Sequence, residues 1–501
     1  MEALGTIIST PETPNTLEFH FVIKEGKVHK GQFVQVPSSE GPVLGTISEI
    51  YRANRYFERA ESVAEYSKLG IISSNFPVSE WEYMVARVRV HGIISQNFLT
   101  RSSIPAKCGS EVLKAEDEQL KKFLHIDEKG LHVGTLLHHT MQIKLHLSKL
   151  FQKHLAILAM SGSGKSYLAG VLMEELLERD SSLGRMAIIA IDNHGEYVGF
   201  KDSAYRKQVN VLEGKKIKIG LRHLNASHLS SWSNMSAVAR RALDLHLSSL
   251  KKKAKEGGEP PSLDDLIKSI QNDETLNKKE NVRGPLLSAL GDLAYMRLIA
   301  KSDSINSSII SPGTLTVIDL SSIDDLRKKQ MIVAYYGRKF FRQRKKGAIP
   351  PYVMLVEEAH NFCRERAEKS MALSKPIIET IAREGRKFGA SLCLISQRPV
   401  HLSTTALSQC NSNIILRVTN PFDLKHIGES CEGIDSTTLN SITSLRVGEA
   451  LIIGEAVGVP VFVNVRKRKS KTAVRGESLE QIAKEFEEKN KIKEDEIEAF
   501  L

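Results

Sequence analysis

From Leu4 to about Ile94, apolar and polar residues alternate in short runs, as in Leu17-Glu18-Phe19-His20-Phe21-Val22-Ile23, Gln32 to Val36, Val43 to Ile47 and Met84 to Val90. Turn formers such as Glu25-Gly26 and Ser39-Glu40-Gly41-Pro42 separate them, which predicts a small β-barrel or sandwich over residues 1–104. Its middle, Tyr51 to Leu69, has a more helical and charged pattern. Residues 105–150 read as a connector in which Glu111 to Leu124 looks helical. The pattern then changes. His154 to Ala159 and Arg185 to Asp192 are continuous apolar runs, the mark of strands buried on both faces of a parallel sheet. Similar runs return at Thr314 to Leu320, Tyr352 to Val356, Ser391 to Ile395, Asn413 to Val418 and Ala450 to Ile453, alternating with helical stretches. The prediction is an α/β core with a mostly parallel sheet, in two parts, 151–224 and 311–474. Between them residues 225–310 are polar and helical, with a break at Glu256-Gly257-Gly258-Glu259-Pro260-Pro261, and read as an insertion. The tail, 475–501, sets Leu479, Ile482 and Phe486 at helical spacing among acidic residues. That amphipathic helix packs either on a neighbouring subunit or on its own domain.

A length of 501 residues exceeds what one core supports, so two to four domains are expected. Lys+Arg 70 against Asp+Glu 59 leaves a net charge of +11, which favours a polyanionic partner, nucleic acid ahead of an anionic membrane, although solubility alone could account for a modest surplus. The 5 cysteines (Cys108, Cys363, Cys393, Cys410, Cys431) are scattered without C-x-x-C spacing, which predicts reduced thiols in a cytoplasmic protein, not disulfides or a zinc site. No apolar run reaches membrane-spanning length and no basic-then-apolar leader opens the chain, so no membrane partner is expected.

Candidate chemistry concentrates where the apolar strand His154 to Ala159 meets Met160-Ser161-Gly162-Ser163-Gly164-Lys165-Ser166 and then an amphipathic helix. Small residues between a strand and a helix start let backbone N–H groups converge on a phosphate at the positive end of the helix dipole. Ser161, Gly162, Ser163 and Gly164 form the cradle, Lys165 reaches the β- and γ-phosphates, and the Ser166 hydroxyl holds Mg²⁺, so the expected ligands are ATP and Mg²⁺. Ala159 replaces the first glycine of G-x-x-x-x-G-K-[ST]. Alanine is tolerable there if its φ stays negative.

Three further strand ends add to the picture. Asp192, before Asn193-His194-Gly195-Glu196-Tyr197, puts a carboxylate at the ligand edge of the sheet. Val353-Met354-Leu355-Val356 ends in Glu357 and Glu358. The first suits the Mg²⁺ shell and the second suits polarising the attacking water, whereas an exposed pair at a strand end is the bland alternative. Gln397, after Ser391 to Ser396, is a γ-phosphate sensor or a plain turn residue, depending on strand order. The basic cluster Ala382-Arg383-Glu384-Gly385-Arg386-Lys387-Phe388-Gly389 is a solvated helix end or the source of an arginine that crosses to a neighbouring subunit; spacing does not separate the two. The runs Arg338 to Lys346, Lys251-Lys252-Lys253 and Arg466-Lys467-Arg468-Lys469 read as solvated helix or strand ends. His194 and His360 read as hydrogen-bonding supports, since neither has metal-ligand spacing.

Taken together and in this order, these motifs resemble the HerA family, hexameric DNA-translocating ATPases of the wider HerA/FtsK group. The resemblance implies a RecA-like P-loop NTPase core with a helical insertion behind an N-terminal β-barrel. It also implies a homohexamer around double-stranded DNA, a partner nuclease of the NurA type, and a role in preparing DNA ends for recombinational repair. By motif position Lys165 and Ser166 bind phosphate and Mg²⁺, Asp192 and Glu357 lie near the metal, Glu358 is the catalytic carboxylate, and Arg386 falls where the family reaches a neighbour's nucleotide. Lys153 stands where many relatives have arginine, and if that position touches a γ-phosphate, lysine loses the bidentate geometry. Rival uses are a ring pump for protein or nucleoprotein and an ATP-binding scaffold for a nuclease.

Overall fold

The computed structural model describes residues 3–24, 28–54, 57, 63, 68, 82–95, 98–233, 235–366, 372–431, 433–471 and 479–498. The chain forms two compact units: Met1–Leu168 with Cys363–Arg366 and Ile378–Lys467, and Ala169–Phe362 with Ala367–Ile377 and Arg468–Leu501.

The first unit opens with β1 (Ala3–Ile8), β2 (Glu18–Ile23), β3 (Phe33–Val36), β4 (Val43–Asn54), β5 (Glu82–Ser95), β6 (Phe98–Thr100) and β7 (Glu111–Lys114). Their order is β2-β1-β7-β3-β4-β5-β6, and β2 also pairs with β5, which closes six antiparallel strands into a barrel. The period-two pattern does this: Phe19 and Phe21 of β2 point inward onto Val34, Val36, Val43, Ile47, Val88 and Val112, and each buried phenylalanine is worth about 2–3 kcal/mol.

Two expectations change here. Glu111 to Leu124 is not one helix, because Glu111–Lys114 is the strand that joins β1 to β3, and the helix is confined to Asp117–Phe123. The barrel sheet therefore runs beyond residue 104. Within Tyr51 to Leu69, Tyr51–Asn54 continue β4 as strand, held by pairing with Glu82 to Val85. The rest of that predicted helical stretch lies outside the described residues, apart from isolated positions.

The chain continues through β8 (Leu131–Leu136), β9 (Gln142–Leu145) and β10 (Leu155–Leu158), then β11 (Ala187–Asp192), β12 (Val209–Glu213), β13 (Ile219–Gly220), β14 (Ile299–Ala300), β15 (Leu315–Asp319) and β16 (Tyr352–Val356). It ends its strands with β17 (Ala390–Ser396), β18 (Ser412–Ile415), β19 (Glu449–Gly454) and β20 (Val461–Val465). In the first unit the order is β17-β10-β18-β19-β20-β8-β9. There β10 lies between two parallel neighbours, and all four of its residues are buried, as a run apolar on every side requires. From β18 onward the pairing is antiparallel, so residues 131–145 belong to the sheet and are more than a connector.

In the second unit β12-β15-β11-β16 is a parallel sheet. The insertion leaves it after β12 and returns before β15, and the parallel pair β13 and β14 ties its entry to its exit. Its helices start where the sequence supplies caps: Ser236 accepts from the Ala239 N–H at 3.2 Å ahead of Ala237–Lys255, and Ser262 forms a capping box with Asp265 ahead of Leu263–Gln271. Leu229, Trp232, Leu243, Leu247, Leu266, Ile270, Leu290 and Leu293 are buried. The C-terminal helix, Leu479–Glu498, leaves Leu479, Ile482 and Phe486 exposed at 79%, 51% and 65%. Among the described residues no helix is long and apolar enough to cross a membrane.

Candidate nucleotide site

His154 starts the phosphate-loop strand with a left-handed backbone (φ 61°). Its Nδ1 accepts the Leu392 N–H at 3.0 Å, so the proton sits on Nε2, which donates to the Ala382 carbonyl at 2.9 Å. Burial pulls this imidazole down to about 4, so it stays neutral and acts as a pin between β10 and the segment leading into β17. At the far end of β10 the ladder opens into the loop: the Ala159 N–H reaches the Ser396 carbonyl at 3.2 Å and the Met160 N–H the Arg417 carbonyl at 2.9 Å. Ala159 is fully buried and is not among the positive-φ residues, so alanine serves as well as glycine there. Gly162 (φ 76°) and Gly164 (φ 99°) take conformations that residues with a side chain rarely adopt, and a Cβ on Gly162 would meet nothing within 4 Å, so the cradle is open. Ser163 braces it from below, its Oγ donating to the Met160 carbonyl at 2.6 Å. The helix Lys165–Glu178 begins at once, and the N–H groups of a first helical turn have no acceptor within their own helix.

Strand order settles which other residues share that end. Leu158 pairs with Ser396 in parallel register, so Gln397, the next residue, stands one strand away at the loop's own sheet edge. Lys153 and Arg386 lie at the opposite edge, before β10 and β17 begin. Lys153 Nζ is paired with Glu455 at 2.7 Å, and Arg386 is exposed on the 3₁₀ turn Gly385–Phe388. Lys153 thus precedes β10, whereas the phosphate loop follows it.

The second unit gathers the carboxylates. Asp192 ends β11 and turns both oxygens onto its own loop: Oδ1 accepts from the Gly195 and Glu196 N–H groups at 2.8 and 3.0 Å, and Oδ2 from the Tyr197 N–H at 2.9 Å. Gly195 (φ 78°) makes the turn possible. Glu357 follows β16, its Oε2 accepting from the Asn193 and His194 N–H groups at 2.8 and 3.2 Å. Burial, then Asp192 and Glu196, pushes the Glu357 carboxyl up to about 10; burial also raises Asp192 against the amides that favour its charged form. Crowded, buried oxygen donors of this kind fit a hard divalent cation such as Mg²⁺. Among the described residues no group of three or more His, Cys, Asp or Glu forms a metal cage. Mg²⁺ carried by nucleotide phosphates does not require one, because it keeps its waters and takes one or two protein ligands.

Glu358 is 3% exposed, with its Oε2 at 3.3 Å from His360 Nδ1. Its backbone is left-handed (φ 47°), a conformation that costs a non-glycine residue of order 1 kcal/mol and collects at functional positions. His360 and His194 are the supports expected of them, His194 Nε2 lying 3.0 Å from Asn193 Nδ2.

Lys329 was invisible to motif reading. From the first turn of Leu326–Lys345 its Nζ donates to Asn193 Oδ1 at 2.9 Å, on the loop whose amides hold Glu357. Burial draws this ammonium below the ordinary lysine range, against the pull of Asp324, Asp319, Glu357 and Asp192. Replacing Lys329 with methionine should lower the ATP turnover number about tenfold with KM nearly unchanged, and arginine should restore part of it, as for groups that orient a ligand from behind. Steady-state kinetics read both, and an unchanged turnover number would separate this lysine from the site.

Residues 131–340 match the family described as the helicase HerA central domain. The DNA double-strand break repair helicase HerA of Pyrococcus furiosus is 29% identical, over 93% of this chain and 92% of the relative. Its counterpart in Saccharolobus solfataricus is 28% identical over 92% of each, and a probable helicase of Methanocaldococcus jannaschii is 28% identical over 93% of this chain and 95% of its own. In fold the chain is similar to VirB4 of Thermoanaerobacter pseudethanolicus, with a TM-score of 0.51 and 14% identity over 68% of this chain and 97% of that one. Residues 131–340 thus match the model of the HerA helicase central domain, the chain is similar to HerA helicases over more than nine-tenths of its length, and it is a P-loop ATP hydrolase.

Proposed function

We propose that this chain is an ATP-driven translocase or helicase on double-stranded DNA, working as a homohexameric ring with a NurA-type nuclease to process DNA ends for recombinational repair. The observation that carries the reading is the open phosphate loop with Gln397 on the adjacent strand, in a chain similar along its length to double-strand break repair helicases. A net charge of +11 agrees with a polyanionic track.

In this reading the N–H groups of Gly162 to Ser166 hold the β-phosphate, with Ser161 and Ser163 shaping the loop, and Lys165 neutralises the β- and γ-oxygens. Ser166 and Glu357 belong with Mg²⁺, Asp192 fixes the loop that aims Glu357, and bound Mg²⁺ supplies charge neutralisation at the phosphates. Glu358 polarises the attacking water and takes its proton, and Gln397 orients that water against the γ-phosphate. Arg386 and Lys153, which lie before β17 and β10, act on the nucleotide of an adjacent subunit. Mixing Arg386→Ala with Lys165→Ala chains tests this: some junctions regain both groups, so mixed rings should recover part of the wild-type ATPase. No recovery at any ratio, in rings shown to be mixed, would count against a crossing arginine.

Translocation is tested by displacement of a third strand from linear duplex DNA. ATP should drive displacement and a non-hydrolysable analogue should not. Binding of DNA with no displacement would favour a scaffold that assembles a nuclease.

A further inference from the structure

Two basic runs that are far apart in the sequence meet on the second unit. Arg222 and His223, the Lys251 part of helix Ala237–Lys255, and Arg338 to Arg342 of helix Leu326–Lys345 surround His228. Lys251 Nζ donates to the Leu224 carbonyl, which fastens the helix to this loop. The Asn225 N–H donates to His228 Nδ1 at 3.2 Å, leaving the neutral ring with its proton on Nε2, and Arg222 Nε lies 3.0 Å from His223 Nε2. Asp303 and Asp244 lie among these cations. Asp303 is already engaged by Lys339 at 2.7 Å and by Tyr335, and Asp244 lies near Lys251. A buried nitrogen of Arg338, Nη1, has no hydrogen-bond partner among the described residues.

A cluster in which cations outnumber carboxylates is costly in a folded protein, because like charges repel and a buried guanidinium nitrogen without an acceptor forfeits its hydration. Burial lowers Arg338, and burial together with Arg338, Lys251 and Arg342 pulls His228 to about 4. Anionic oxygens laid over the exposed Arg222 and Arg342 would relieve the repulsion. The cations come from three chain segments and spread over a face, with arginine prominent, which suits a row of phosphates.

We propose that this face, built by Arg222 to His228, Lys251 and Arg338 to Arg342, binds the phosphate backbone of double-stranded DNA apart from the ATP site. The proposal rests on the DNA-motor reading above and adds a contact surface to it.

The test is equilibrium binding of linear duplex DNA by the full chain across a salt series, for wild type and for the Arg222→Gln/Arg342→Gln double variant. Both arginines are exposed, so the variant should melt like the wild type and keep its DNA-free ATPase. Its affinity should fall about fivefold or more, and the slope of log K against log salt should shrink by about 2, since each lost phosphate contact removes roughly 0.9. Arg222→Lys/Arg342→Lys should keep the slope. If wild type binds DNA and the glutamine variant matches it in affinity and slope, the proposed surface is wrong while the motor reading stands. If wild type binds no DNA at any salt, both fall. A glutamine variant that keeps its DNA affinity but loses an acidic protein partner would also overturn the proposal.

Discussion

Lys165→Ala should leave ATP hydrolysis at least about 10²–10³-fold below wild type, the scale seen when one preorganised charge-stabilising group is removed from a transition state. The loop around it needs no repair to accept the change. Gly162 and Gly164 set the backbone and Ser163 braces it through the Met160 carbonyl, so the variant should melt as the wild type does. What is lost is the positive charge over the β- and γ-oxygens, and nucleotide affinity should fall with turnover. Turnover and titration of a fluorescent ATP analogue read the two separately. A variant hydrolysing ATP at more than a tenth of the wild-type rate would mean that the loop does not hold the reacting phosphates.

The second large effect belongs to Glu358. Glu358→Gln should lower turnover by about 10²–10⁴-fold, the usual worth of a general base, while ATP still binds, because the amide keeps the size of the carboxylate but cannot take a proton. The left-handed backbone at this position (φ 47°) is set by its neighbours, so glutamine should occupy the same place beside His360. The nucleotide-bound variant should accumulate. Full DNA-dependent hydrolysis in Glu358→Gln would move the catalytic role elsewhere, with Glu357 the next carboxylate to examine.

What sequence made legible was whatever is local. The phosphate loop is contiguous, and its glycines, lysine and serine carry their own geometry. Glu357 and Glu358 announce themselves by ending an apolar strand. Gln397 could be named but not placed, because its meaning depends on β17 lying beside β10, a neighbour separated by more than two hundred residues. The same reason hid Lys329, whose partner Asn193 is on another strand's loop, and the convergence of Lys251 with Arg338 and Arg342. Pairing misled in the other direction at Glu111–Lys114, where helical character yielded to two waiting strand edges, and at residues 131–145, which extend the sheet by antiparallel pairing. Arg468, read as part of a solvated basic run, is 8% exposed; a Cβ on Gly170 would lie 2.6 Å from its Nε, so the side chain packs where only glycine leaves room.

The most direct measurement is steady-state ATP hydrolysis by the purified chain, with and without linear double-stranded DNA, at low and moderate salt. The account predicts stimulation by DNA that fades as salt rises, since the contacts that couple DNA to the motor are made to phosphates. Hydrolysis that is the same with and without DNA at every salt concentration would contradict it.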